Sequence, residues 1–175
     1  MITLTGIPMI ETARLRLRGP KPTDFEAFAA FAASSRATYI GGAVGRIHAW
    51  RNFCHLTGHW LHRGYSMFIL ADRVTDAPLG SAGPWFPEGW PEPEIGWSIW
   101  DQGAEGRGLA HEAALATRAY AYETLGWTTA ISLILDGNVK SQALALRMGC
   151  HLESDFTHEQ FGKCNIYRHP QRVPA

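Results

Sequence analysis

Two stretches of this 175-residue chain hold the residue types and spacings that chemistry needs. The first reads Glu94-Ile-Gly-Trp-Ser-Ile-Trp100, followed after Gly103 by Glu105-Gly-Arg-Gly-Leu-Ala110. A strand runs into glycines, and the glycines open a helix. Backbone N–H groups in such a loop can approach an anion closely, and the helix dipole favours negative charge there. Arg107 can add a charge-assisted contact. A pyrophosphate suits this loop; a plain tight turn is the other reading. A phosphate loop of the Gly-Lys-Ser/Thr type is absent. Gly103, Gly106 and Gly108 also run in the reverse of the dinucleotide G-x-G-x-x-G spacing, and Glu123 falls in the helix rather than at the end of the next strand.

The second stretch is Asn138-Val-Lys-Ser141, with Gly149-Cys150 after it. An asparagine at a strand end can hydrogen-bond an amide-rich ligand, or it can simply cap a helix. Glu94 is the first candidate for a general base. It shares a strand face with Gly96 and Ser98, opposite Ile95, Trp97 and Ile99. A carboxylate beside tryptophan-rich surface has its pKa raised, whereas a solvated edge carboxylate does not. Glu92, in the preceding loop, is the second candidate. Trp85, Phe86 and Trp90 stand between prolines, either as a pocket wall or as an apolar flap over the sheet. Glu112 reads as a complement to the helix dipole, and His111 as a surface position.

Four histidines, His48, His55, His59 and His62, fall within a narrow arc of one helix face. His55 and His59 have metal-ligand spacing, but no carboxylate in the helix completes a site. With Trp50, Phe53, Thr57, Trp60 and Leu61 on the other face, the histidines are expected in solvent or against a substrate or partner, and no metal is expected. Cys54, Cys150 and Cys164 are odd in number and form no C-x-x-C pair. They read as buried or half-buried free thiols.

The elements that must position these residues follow from periodicity. Leu15 and Leu17 alternate with arginines as a strand, and Gly19-Pro20 ends it. Thr23-Asp24 offers a cap for a helix carrying Phe25, Phe28 and Phe31. A longer helix spans 46–63. Residues 68–71 and 79–83 form a hairpin about 72–78. Residues 84–93 are loop, 94–100 strand, and a helix runs from the glycines to about Leu125. A strand at 128–135, a helix from Asn138 to Gly149, and strands at 151–157 and 163–168 complete a mixed α/β sheet with helices on both faces, in a single domain over 1–175.

Composition narrows the function classes. The chain is 46% hydrophobic and 18% charged with zero formal net charge. It is too apolar for disorder. It lacks the basic excess of a phosphate-binding nucleic-acid partner. It has no signal-peptide pattern at Met1–Ile10 and no span of ~20 apolar residues. A cytoplasmic protein without nucleic-acid or membrane partners is expected.

Together these residues resemble the GNAT acetyltransferase superfamily, in its RimJ/RimL-like branch. Glu11 to Arg18 with Pro22-Thr-Asp24 resembles that branch's opening, Leu79-Gly80 its second hairpin, Glu105 to Ala110 its Q/R-x-x-G-x-G/A coenzyme-A loop, and Asn138-x-x-Ser141 with Gly149 its later block. The resemblance implies a mostly antiparallel central sheet and direct acetyl transfer from acetyl-CoA to a primary amine, on a peptide or a small molecule. It implies cofactor contacts at Ile99, Trp100, Gly106, Arg107, Gly108, Leu109, Ala110, Asn138 and Ser141. The catalytic groups would be Glu94 and Ser141, and Trp85, Trp90 and Glu92 would meet the acceptor. Glu88, Glu92 and Glu94 together favour a cationic amine. The chain departs from the family at Glu105, and at Ala145, where many members carry a tyrosine acid. A non-catalytic acyl-CoA-binding module and a dinucleotide oxidoreductase are the competing readings. Tryptophan-rich loops admit a homodimer.

Overall fold

The alternation at Leu15 and Leu17 builds a strand near one edge of an eight-stranded sheet. The computed structural model describes residues 5–172, so the first four residues of the N-terminal stretch and the last three of the chain lie outside it. In chain order the elements are β1 (Ile10–Glu11), β2 (Leu15–Arg18), α1 (Phe25–Ala32), α2 (Arg46–Arg63), β3 (Phe68–Asp72), β4 (Pro78–Trp85), β5 (Glu94–Ile99), α3 (Leu109–Glu123), β6 (Ile131–Leu135), α4 (Val139–Arg147), β7 (His151–His158) and β8 (Gly162–Arg168). The sheet order is β1-β2-β3-β4-β5-β6-β8-β7. Every pair is antiparallel except β5 with β6.

That parallel pair is the feature that makes a site. It has one registered pair, Glu94 with Ile131, beyond which the strands part. The fork is tied by Ile131 N–H donating to Pro93 O (3.1 Å) and Ser132 Oγ donating to Ile95 O (2.7 Å). One face of the sheet is covered by α1 and α2, whose Phe28, Phe53 and Leu56 pack with Ile69 and Trp100. The other face is covered by α3 and α4. Leu109 and Ala113 lie on Leu15, Leu17, Phe68 and Leu70, while Ala114, Ala121, Leu144 and Ala145 close on Ile95 and Ile134. The small residues of α3 let it approach the sheet closely.

Three expectations need correction. Asp24 makes no side-chain bond to an α1 N–H; its carboxylate holds the buried Arg18 guanidinium through two bonds (2.8 and 2.9 Å) and closes the short 3-10 turn at Pro22–Asp24 by accepting from the Lys21 N–H (2.7 Å). The histidine face of α2 is not all in solvent. His59 is buried, whereas Trp50 and Leu61 are exposed, because Ala49, Phe53, Leu56 and Trp60 form the inward stripe and the end of β4 covers His59. Finally, Cys54 is exposed, while Cys150 and Cys164 are buried.

Candidate active site

A cavity of about 400 Å³ crosses the sheet at the fork. From one face it is lined by Phe28, Leu56 and Met67 with Gly96 and Ser98, and from the other by Trp97, Asn138 and Ser141. Glu94 stands where the strands separate. Its carboxylate is buried and accepts a hydrogen bond from Leu133 N–H on β6 (3.1 Å). Burial pushes its pKa up to about 7, against the Trp90 indole and Leu133 N–H, which lower it. The indole N–H faces the carboxylate without reaching good hydrogen-bond geometry and is buried without a partner. A carboxyl group poised near neutrality in an enclosed cavity is suited to proton transfer.

Gly96 makes room for this carboxylate. A Cβ there would stand 2.7 Å from Glu94 Oε1 and closer still to Met67 Cε. Trp85 and Trp90 also line the cavity; Phe86 does not. Phe86 instead donates its N–H to His59 Nε2 (3.1 Å), while His59 Nδ1 lies 2.6 Å from Tyr65 O. The ring is therefore the neutral Nδ1–H tautomer. Burial holds its pKa below the ordinary histidine value. It stacks on Trp85 at 4.4 Å and 19°. Sequence periodicity missed His59 as the post that fixes this wall; only its spacing to His55 drew notice.

Glu92 is placed outside the cavity. Arg168 grips both its oxygens at 2.7 Å and also holds Glu153, and Glu92 is not among the residues that line the cavity. Glu88 lines the rim but is paired with Arg63 (2.7 Å). The expected cluster of three carboxylates thus reduces to Glu94, because distant arginines take the other two.

On the far side of the fork, Ser141 Oγ accepts from the Trp97 indole N–H (3.3 Å), which leaves the Ser141 O–H with no acceptor among the described residues. Asn138 Oδ1 accepts from Ser141 N–H (3.2 Å), the helix-cap reading, and the residue lines the cavity as well. Ala145 is fully buried in the core, away from the cavity lining. Gly106 (φ +71°) and Gly108 (φ +76°) take the left-handed backbone that turns the loop into α3. No side chain caps α3, and the N–H groups of Gly106, Arg107 and Gly108 meet no backbone acceptor among the described residues. Leu109 anchors the helix start in the core, leaving Ala110 half-buried behind it. These free N–H groups fit a pyrophosphate. Arg107 is exposed and in no ion pair among the described residues.

The end of β5 is tied down by Leu79 and Arg36. Trp100 N–H donates to Leu79 O, its indole to Ser98, and the carbonyls of Ile99 and Trp100 both accept from Arg36 (2.9 and 2.6 Å). Trp100 is buried in the core, with its N–H taken by Leu79 and its carbonyl engaged by Arg36. Arg36 also pairs with Glu105, which Lys140 approaches at 3.4 Å. The acidic residue that departs from the loop pattern is therefore one member of an ion-pair cluster. Among the described residues, no group of three or more His, Cys, Asp or Glu side chains could hold a metal, and no helix is long and apolar enough to cross a membrane.

This fork, its cavity and the loop before α3 form the candidate site, and comparison with known proteins gives the family of the chain that carries it. The profile of the "Acetyltransferase (GNAT) domain" matches residues 14–151. An acetyltransferase from Agrobacterium tumefaciens str. C58 is 34% identical, with a TM-score of 0.87 over 98% of this chain and 99% of that one. A GNAT-family acetyltransferase from Bordetella pertussis is 26% identical, with a TM-score of 0.76 over 93% and 99%. RimL, a ribosomal L7/L12 alpha-N-protein acetyltransferase solved with coenzyme A, shares the fold at 17% identity and a TM-score of 0.71 over 93% and 97%. No curated protein sequence matches. The chain belongs to the GNAT acetyltransferase family and is an acetyl-CoA-dependent acyltransferase.

Proposed function

We propose that this protein is a cytoplasmic N-acetyltransferase that moves the acetyl group of acetyl-CoA directly to a primary amine, with Glu94 as the base. The observation that carries this is the buried Glu94 carboxyl in the fork, with its pKa at about 7. Acetyl-CoA supplies a thioester carbonyl as the electrophile. Gly106, Arg107 and Gly108, with the first turn of α3, would hold its pyrophosphate. Glu94 takes the proton of the incoming ammonium, directly or through one water, so that a neutral nitrogen attacks.

The oxyanion needs an N–H donor. Ile95 O faces the fork, since Ser132 reaches it from β6. By the two-residue alternation of a strand, the backbone groups of Trp97 face the fork too. Trp97 N–H is the donor assigned here. As the C–N bond forms and the C–S bond breaks, the free Ser141 O–H gives its proton to the leaving sulfur, and the second proton shed by the former amine nitrogen passes through water to restore the Ser141 hydroxyl, while Glu94 releases the first to solvent. Trp85 and Trp90 wall the acceptor side.

The test is Glu94→Gln. The amide keeps the shape and can still accept from Leu133, so acetyl-CoA affinity should stay within about twofold by calorimetry, with NAD and ATP as non-binding controls. Thiol release should fall at least ~100-fold, and the rise of kcat/KM through about pH 7 should vanish. Turnover equal to wild type would remove Glu94 from the chemistry. Coenzyme-A binding without acceptor-dependent thiol release in the wild type would identify a non-catalytic module.

A further inference from the structure

The charges on a cavity wall decide which ligands it admits. Glu94 and Glu88 line this cavity, and no lysine or arginine does among the described residues. The cations around it are held elsewhere: Arg63 by Glu88, Arg168 by Glu92 and Glu153, Arg36 by Glu105. Two histidines, His55 and His158, also stand in the wall. Burial lowers the pKa of His55. His158 uses Nδ1 to accept from the N–H groups of Gln160 (3.0 Å) and Phe161 (3.3 Å), which a protonated nitrogen cannot do. What remains is uncharged. The Trp90 and Phe161 rings meet edge to face at 5.7 Å, and the Trp90 Nε1 and His158 Nε2 atoms are buried without partners.

We propose that the acceptor carries its amine as its only charge near the reacting nitrogen, so that arylalkyl or alkyl amines and aminoacyl amides are substrates and free amino acids are rejected. This rests on the acetyltransferase reading above. An arriving ammonium meets the Glu94 carboxylate and the faces of aromatic rings. A carboxylate two bonds from that nitrogen would shed its water with no cation to replace it and with Glu94 nearby. An amide oxygen in the same place carries no net charge, so neutral N–H dipoles suffice for it.

A matched series isolates that one group: phenylethylamine, phenylalaninamide and phenylalanine, each assayed for thiol release with acetyl-CoA and for calorimetric binding to the coenzyme-A complex. The first two should agree within about tenfold in kcat/KM, with the acid at least ~100-fold below them. Gln160→Arg, at an exposed turn position on the cavity wall, should narrow that gap by about tenfold or more. Phenylalanine within threefold of the amide, in rate or in binding, overturns the proposal. So does failure of both the amine and the amide to bind or react. Binding in the expected order without thiol release supports the charge inference and sinks the acetyltransferase reading instead.

Discussion

At Gly96 a single missing methyl group sets where the Glu94 carboxylate rests. Both atoms that an added Cβ would strike, Glu94 Oε1 and Met67 Cε, are ends of flexible side chains, so Gly96→Ala should fold with the carboxylate displaced. We expect kcat to drop about tenfold and the apparent pKa of the rate profile to move, with acetyl-CoA affinity within twofold. Adding Met67→Ala relieves only the thioether. Full recovery in the double variant would assign the defect to Met67 rather than Glu94. Period-two alternation already put Glu94, Gly96 and Ser98 on one strand face. It could not give the burial of Glu94, because the wall that removes water is Leu133 on β6 and Trp90 in the loop. Nor could it show that Arg168 and Arg63 take Glu92 and Glu88.

Among the elements, α2 was legible in its limits and misread in its orientation. Helical spacing located residues 46–63, and the pattern of large apolar residues pointed Trp50 and Leu61 inward. The inward stripe is narrower, and the turn after β4 folds over His59, a contact that no local pattern carries. His59 joins α2 to Phe86 and Tyr65, so His59→Ala leaves a buried N–H and a carbonyl without partners, at a cost of about 1–3 kcal/mol each. The expected result is a lower melting temperature, and faster amide exchange at Phe86 than at β3 in the same protein. Unchanged exchange at Phe86 would mean that another contact fixes the loop. The loop before α3 and the Asn138 cap were legible because glycine and asparagine mark backbone geometry directly. The Arg36–Glu105 pair was not, since its partners lie far apart in the chain.

For the whole molecule, two kinds of buried group set opposite pH slopes. Glu94 titrates at about 7 in the fold against an ordinary 4.5, so the folded state binds more protons in that window and stability falls as pH rises through it. His169, pushed down to about 3 by burial, and His59, also lowered by burial, bind fewer protons when folded, so stability falls as pH drops below about 6.5. Between pH 7 and 5 these slopes compensate. Glu94→Gln removes one of them. The variant should melt higher than wild type at pH 8, by an amount of order 3 kcal/mol at most, and lose stability faster on acidification from pH 7 to 5. Parallel melting curves for the two proteins would contradict this. The fork has a consequence in time as well as in space. The meander β3–β4–β5 and the hairpin β7–β8 each pair with near neighbours in sequence, whereas the single β5–β6 pair joins them across α3. A chain synthesised from its N-terminus can form the meander early. Until residues 132–161 have followed, the cavity has only one side, and a nascent chain with most of its sheet made has no site at all.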